Sequence, residues 1–411
     1  MVSIEKSAAK ATKTLIITGN QAAALGAKLA RVQVIAAYPI TPQTPVTEAL
    51  SEYVEKGELA AEYVTVESEH SALSVCAAAS TVGARVFTAT SGNGLAYMHE
   101  ILHWAAGSRL PLVLGCVNRA VGAPWNVLND QQDSISQRDT GWVQIYARNN
   151  QEVLDSIIQA YRIAESMYVP VMVCYDGYLL SHTVAPVEVP SQEDVDRFLP
   201  PYEPRVKLDP ANPVNLNQVT LGDPRMDASG RLCHGYMEIR YLLQEALADC
   251  LKRIVEVDRE FGDLFGRSHG GLAWGHRLDD AEVVLMAMGS LASEATMAAD
   301  TLRERGIRAG VLGLRAYRPF PKEALQGLLR RARLVVVFDK NISYGYEGAT
   351  CSDLRAALYN SDTEPVIHNY IAGIGGRDVK ARELAGAVEK SLSMVALGEA
   401  EKGTEWLNCQ I

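Results

Sequence analysis

An α/β chain made of a doubly wound parallel sheet followed by a second α/β unit is predicted by three observations on the sequence. Short β-branched runs alternate with longer helical stretches from residue 15 to 180. The same alternation resumes near residue 281. The length, 411 residues, also exceeds what one ordinary core holds, since domains usually run to about 100–200 residues.

In the first unit the expected strands are "LIIT", "VIAAY", "EYVTV", "RVFTAT", "PLVLGCVN", "WVQIYA" and "PVMVCYD", separated mostly by Ala-rich segments of helical period. Residues 185–235 are rich in Pro, Asp and Asn with weak periodicity, and are expected to form a long irregular excursion that is functional or forms an interface. A helix then follows: Ile239, Leu243, Ala246, Cys250, Ile254 and Val257 recur every three or four residues and make one apolar face, which suits a bridge between units. The second unit reads as "EVVLMAMGS", "IRAGVLGL", "RLVVVFDK" and "PVIHNYIAG", with helices between. The expected division is 1–260, including the excursion and the bridging helix, and 261–411.

Composition narrows the class. With 48% apolar and 21% charged residues the chain has the profile of a globular protein with a large core. A net charge of −10 and the lack of a Lys/Arg block leave no footprint for nucleic acid. The N-terminal "MVSIEKSAAKATKTLIITGN" has no apolar stretch of signal-peptide or membrane-span length, so a cytoplasmic protein with no membrane partner is expected. Seven cysteines, at 76, 116, 174, 233, 250, 351 and 409, never fall in Cys-x-x-Cys spacing, and are expected to be buried reduced thiols.

Ligands of such sheets bind beyond the carboxyl ends of the strands, and the chemically interesting residues fall there. In "YPITP", Pro39 and Pro42 fix their own φ and push Tyr38 and Thr41 towards extended geometry, so the corner presents Thr41. The same stretch also reads as a plain turn into a helix with Thr44 as N-cap and Thr47 or Glu48 in the first turn. In "VESEHSA", Glu67 and Glu69 sit where a strand hands over to an Ala/Ser-rich helix; either can be a ligand or simply favour the helix N-terminus. "TSGNG" places Ser91 and Gly92 on a strand-to-helix turn that can offer backbone N–H groups, a pattern equally common as a tight turn. Arg119 ends "PLVLGCVNR", where its planar fork suits a carboxylate or a structural ion pair. The loop at 123–142 packs tryptophans, Asp, Asn and Arg together and suits a cleft cover. "GIGGRDV", 373–379, fits a phosphate cradle or a flexible turn.

Taken in order, "AAYPITPQTP", "VESEHSA" to "YMHE", "VNRAVGAPWN", "DQQDSISQRDTGWVQ", "PVMVCYDGYLLSH", "LRAYRPFP" and "VVVFDKNISYG" resemble the α subunit of 2-oxoacid:ferredoxin oxidoreductases, most like the pyruvate branch, over nearly the whole chain. The resemblance implies a thiamine-diphosphate pyrimidine-binding domain followed by a transketolase C-terminal-like domain that serves mainly assembly. It implies that Glu69 hydrogen-bonds the aminopyrimidine, with Glu67 the weaker candidate. Pro39, Ser91 and Gly92 are implied to line the cofactor, and Thr41 and Arg119 to hold the 2-oxoacid carboxylate. No Gly-Asp-Gly with downstream Asn and no cluster cysteines are present, so Mg²⁺ and [4Fe-4S] clusters are expected on partners. Those partners are a β subunit carrying the pyrophosphate site, γ and ferredoxin-like δ subunits, and ferredoxin, with coenzyme A as co-substrate. Branched-chain or 2-oxoglutarate versions of the enzyme stand as alternatives, as does a non-catalytic interface subunit; Thr41 speaks against the oxalate branch.

Overall fold

The computed structural model describes residues 13–204, 225–226, 232–398 and 403–411. The first half contains β1 (Lys13–Thr18), α1 (Gly19–Leu29), β2 (Val34–Ala37), α2 (Thr44–Glu55), β3 (Glu62–Thr65), α3 (Glu69–Thr81), β4 (Val86–Thr90), α4 (Gly92–Tyr97), α5 (His99–Gly107), β5 (Val113–Asn118), α6 (Gln132–Ile135), β6 (Val143–Tyr146), α7 (Asn150–Met167), β7 (Val171–Asp176), β8 (Val184–Val189) and α8 (Gln192–Phe198). There follow β9 (Arg225–Met226), β10 (Leu232–Cys233), α9 (Tyr236–Phe265), β11 (Ala273–His276), β12 (Val283–Met288), α10 (Gly289–Glu304), β13 (Ala309–Leu314), β14 (Ala316–Arg318), α11 (Lys322–Leu328), β15 (Leu334–Asp339), α12 (Ala349–Leu358), β16 (Val366–Ile371), α13 (Ala381–Ala396) and β17 (Glu405–Trp406).

The main sheet has the order β14-β6-β7-β5-β4-β2-β3. Its strands from β2 to β7 run parallel, and β4, β5, β6 and β7 are buried along their whole length. Burial on both faces explains why they read as continuous apolar runs rather than alternating ones. Because β3, β2, β4 and β5 are successive neighbours, Thr41, Glu69, Ser91 and Arg119 all follow carboxyl ends on one edge, as the sequence predicts.

Two strands depart from expectation. "LIIT" lies in β1, outside the parallel sheet, paired antiparallel with β8 in the register Leu15↔Val187. No residue of β1 is fully buried, whereas an interior parallel strand must be apolar on both faces. Its partner lies in the segment expected to be irregular: residues 184–198 form β8 and α8, while 205–224 and 227–231 lie outside the described residues. The second departure is β14, which comes from the second half of the sequence yet pairs antiparallel with β6, Ala316 opposite Ile145.

The second sheet has the order β11-β13-β12-β15-β16-β17, parallel except for the edge strand β11. Helix α9 buries Leu243, Ala246, Cys250, Ile254 and Val257 as its spacing predicts, against α5, α7 and α8. Near its end Asp258 accepts the backbone N–H groups of His269, Gly270 and Gly271, tying down the passage into the second sheet. Arg315, fully buried, locks the halves: Nε donates to Glu152 at 2.8 Å, and Nη2 to Gln159 at 2.9 Å and Ser156 at 3.0 Å, all on α7.

Cys76, Cys116, Cys174, Cys250 and Cys351 are buried thiols, but Cys409 is exposed on the tail after β17, and the side chain of Cys233 lies outside the described residues. No described helix is long and apolar enough to cross a membrane.

Candidate functional site

The corner after β2 is both of the things the sequence allows. Residues 41–43 form a turn, and α2 starts at Thr44, so Gln43 rather than Thr44 holds the N-cap position and makes no side-chain cap bond. Pro39 and Thr41 are exposed, whereas Pro42 is buried and its carbonyl accepts the Asn20 amide at 2.8 Å.

The two glutamates of "ESE" separate clearly. Glu67 is exposed and accepts the Ser71 hydroxyl, which holds its carboxyl below the usual range and spends it on the first turn of α3. Glu69, the first residue of α3 after the Ser68 N-cap, is 8% exposed and makes no side-chain hydrogen bond among the described residues. Its Oε1 and the Thr90 Oγ1 both press on Gly94: a Cβ there would lie 2.6 Å from each. Gly94 is therefore glycine because the carboxylate occupies the space a side chain would take.

Ser91 precedes α4 and is fully buried with its hydroxyl unpartnered, as is that of Thr90. Gly92 has φ +50°, and a Cβ on it would meet Arg119 Nε at 2.6 Å, so backbone and neighbour both require glycine. Arg119 is 2% exposed. Its Nη1 donates to the Thr41 carbonyl at 2.7 Å, its guanidinium lies 5.1 Å from the Trp125 ring centre, and Nε has no partner. Burial pulls the guanidinium below the ordinary arginine value, and the negative charges of Asp133 and Glu69 oppose this; arginine stays charged in either case.

Asp133 is a residue that sequence reading passed over inside a polar loop. It is fully buried, and its Oδ2 accepts the backbone N–H of Gly92 and of Arg119, each at 2.9 Å. Oδ1 accepts Asn118 Nδ2 and the Ser134 N–H, each at 2.7 Å. Burial pushes its carboxyl up to about 6 against the pull of those donors. Asp176, at the end of β7, was equally hidden. It accepts Lys340 Nζ at 2.8 Å, Asn129 Nδ2 at 3.0 Å and the Ser290 N–H at 2.9 Å.

Two N–H groups of the glycine loop in the second half are already bonded. Gly375 N–H donates to Asp130 at 3.1 Å and Gly376 N–H to the Asn129 carbonyl at 2.6 Å. The loop thus clasps the 123–142 segment, whose Trp125 lies against the Arg119 guanidinium, and two of the N–H groups that a phosphate cradle would use are already spent on it.

Along the short turn from Thr90 to Gly94, polar groups without partners among the described residues lie side by side: the Thr90 and Ser91 hydroxyls, the Glu69 carboxylate against Gly94, and Arg119 Nε against Gly92. An acceptor carboxylate beside two hydroxyls fits the donor and acceptor edge of an aminopyrimidine, and the guanidinium fits an acid. Such orphaned polar groups are costly unless a ligand satisfies them.

A doubly wound sheet that keeps its unsatisfied groups on the carboxyl rim belongs to the α/β proteins that bind a cofactor there. Comparison with known proteins sharpens the class. Residues 25–247 match the family model described as pyruvate flavodoxin/ferredoxin oxidoreductase, thiamine diP-binding, and residues 281–384 match pyruvate:ferredoxin oxidoreductase core domain II. The chain is 49% identical to pyruvate synthase subunit PorA of Methanocaldococcus jannaschii over 90% of its length and 92% of the relative's. It is 45% identical to ketoisovalerate oxidoreductase subunit VorA of Pyrococcus horikoshii over 95% of its length and 97% of the relative's. Among solved structures, the 2-oxoglutarate:ferredoxin oxidoreductase from Magnetococcus marinus superposes with TM-score 0.69 at 19% identity, covering 93% of this chain and 66% of that longer one. A split-gene transketolase superposes at 0.52 with 14% identity, covering 92% of this chain and 99% of that one, which supports the same fold. The chain belongs to the pyruvate flavodoxin/ferredoxin oxidoreductase family, as the α subunit of a thiamine-diphosphate-dependent 2-oxoacid:ferredoxin oxidoreductase.

Proposed function

We propose that this α subunit serves the oxidative decarboxylation of pyruvate to acetyl-CoA and CO₂, with electrons passed to ferredoxin. The observation that carries the reading is the pairing of Glu69, which makes no side-chain hydrogen bond among the described residues, with a buried Arg119 whose Nε is unpartnered. Bound thiamine diphosphate supplies the nucleophile and electron sink that loss of CO₂ requires. Glu69 would hold the aminopyrimidine by a hydrogen bond between its carboxyl group and the ring, the place where a carboxyl can give and take back a proton, a role worth roughly 10²–10⁴ in rate. Thr90 and Ser91 orient the ring edge. Arg119 receives the 2-oxoacid carboxylate and is itself held by the Thr41 carbonyl and Trp125, so the substrate meets a guanidinium already in place.

In this reading residues 1–260 are the cofactor unit and 261–411 the assembly unit, with β14 lent across. The chain works in the cytoplasm and offers one side of the cofactor site. A β subunit brings the Mg²⁺ and pyrophosphate side, γ and δ subunits complete the assembly, and [4Fe-4S] clusters on partners carry electrons to ferredoxin; coenzyme A enters as acyl acceptor. The test is turnover of a panel of 2-oxoacids by the assembled complex, with titration calorimetry of thiamine diphosphate on the chain with and without its β partner. Pyruvate should give the highest kcat/KM, and cofactor affinity should appear only with the partner. Preference for 3-methyl-2-oxobutanoate would assign the enzyme to the branched-chain reading. Tight Mg²⁺-dependent binding by the chain alone would refute the shared site.

A further inference from the structure

We propose that Asp133 is a positioning residue for 2-oxoacid binding: through one oxygen it ties the backbone of Gly92, on the cofactor side, to that of Arg119, on the substrate side. The proposal rests on the reading of Arg119 as the carboxylate anchor.

The geometry is specific. Oδ2 takes the two N–H groups at equal length, 2.9 Å each, so the ends of β4 and β5 are held at a separation set by a single atom. That separation matters because Arg119 Nε already fills the space where a Gly92 Cβ would stand. A small outward slip of Arg119 would carry its guanidinium away from the turn, and a small inward slip would collide with it. The carboxylate is itself pinned. Asn118 Nδ2 and the Ser134 N–H fix Oδ1, Asn118 Nδ2 also reaches Ser134 Oγ at 2.7 Å, and Ser134 Oγ pairs with the Tyr146 hydroxyl at 2.8 Å.

Asp133 is fully buried and forms no ion pair among the described residues. All the N–H groups it accepts are neutral, and burial lifts its carboxyl to about 6, so the ionised form is held there at a cost. A neutral side chain accepts at most two such donors well, and only an ionised carboxylate accepts four. The group is what a rigid double link needs, and its two outward bonds end on the two halves of the site.

The experiment uses the assembled complex with Asp133→Asn, Arg119→Lys and a milder variant, Asn118→Ala, which loosens Oδ1 and leaves Oδ2 its partners. KM is measured separately for the 2-oxoacid, coenzyme A and ferredoxin, with thermal unfolding alongside. Asp133→Asn should raise the 2-oxoacid KM about tenfold or more, the effect of one charge-assisted contact, with the other two KM values unchanged. Asn118→Ala should raise the same constant to a smaller degree, and it decides the matter if Asp133→Asn does not fold. A wild-type 2-oxoacid KM in Asn118→Ala and Asp133→Asn while Arg119→Lys raises it would overturn the inference and leave the anchor standing. An equal loss for all three substrates would make Asp133 merely structural. No change in Arg119→Lys would remove the anchor and the inference with it.

Discussion

Lys340, one residue beyond β15 of the second sheet, donates its ammonium to Asp176 at the end of β7 of the first sheet, 2.8 Å away and with both side chains almost wholly buried. Burial alone would raise the Asp176 carboxyl, but Lys340 and Ser290 outweigh it and hold the group below the usual aspartate value. The pair is thus a charge contact at the junction of the two sheets, with Asn129 from the covering loop as a third party.

The first prediction concerns that contact. Lys340→Met leaves a carboxylate buried without its cation and should destabilise the chain by about 3–5 kcal/mol at neutral pH. The wild-type contribution is present above the unfolded aspartate value, about 3.9, and is lost as pH falls through the lowered folded value. In the variant the folded value is raised instead, so its stability falls as pH rises. The difference in melting temperature should therefore widen from pH 4 to pH 7.5, and an equal gap at both would refute the linkage.

Glu69→Gln should keep the fold and lose roughly 10²–10⁴ of turnover, because an amide cannot exchange a proton with the ring. Glu67→Gln should be mild, since Glu67 is exposed and serves Ser71. Steady-state rates of the two complexes decide between the glutamates; a dead Glu67→Gln beside an active Glu69→Gln reverses the assignment.

Arg119→Lys preserves charge and loses the fork, so kcat/KM for the 2-oxoacid should fall about 10- to 100-fold, as expected for a hydrogen bond to a charged group. Thr41→Val should be far milder. The bond from Arg119 goes to the Thr41 backbone carbonyl, which valine retains. Equal losses in the two variants would mean that the exposed hydroxyl, not the backbone, carries the corner's role.

Gly94→Ala separates stability from function. The new Cβ would stand 2.6 Å from Glu69 Oε1 and Thr90 Oγ1, so the carboxylate must move. Alanine meanwhile favours the helix by up to about 1 kcal/mol. The melting temperature should hold while thiamine diphosphate affinity and turnover in the complex drop together. An active variant with unaltered cofactor affinity would show that Glu69 tolerates displacement.

What the sequence disclosed was the rim. Strand ends at Thr41, Glu69, Ser91 and Arg119 are local features, each a short apolar run meeting a proline, acid, glycine or arginine, and a parallel sheet sends them all to one edge. What it hid depends on partners distant in the chain. "LIIT" has the composition of a core strand, and only its pairing with "VAPVEV", whose Pro186 disguised it as loop, shows it to be half of a peripheral ribbon. Asp133 and Asp176 looked like any loop or strand-end acid, because the donors that define them arrive from α4, β5, α10 and the residue after β15. "GIGG" suggested an anion site for the same reason: its N–H partners, Asn129 and Asp130, lie far earlier in the sequence.

β14 carries a last consequence. A hinge needs a line across which few bonds pass, and here that line is stitched by a strand from the later half that completes the earlier sheet, with Arg315 just before it embedded in α7. Swinging the halves apart would strip β6 of its neighbour and expose a raw sheet edge. The seam between the two α/β units is therefore a welded joint, on whose rim Trp125 stands exposed against the Arg119 guanidinium.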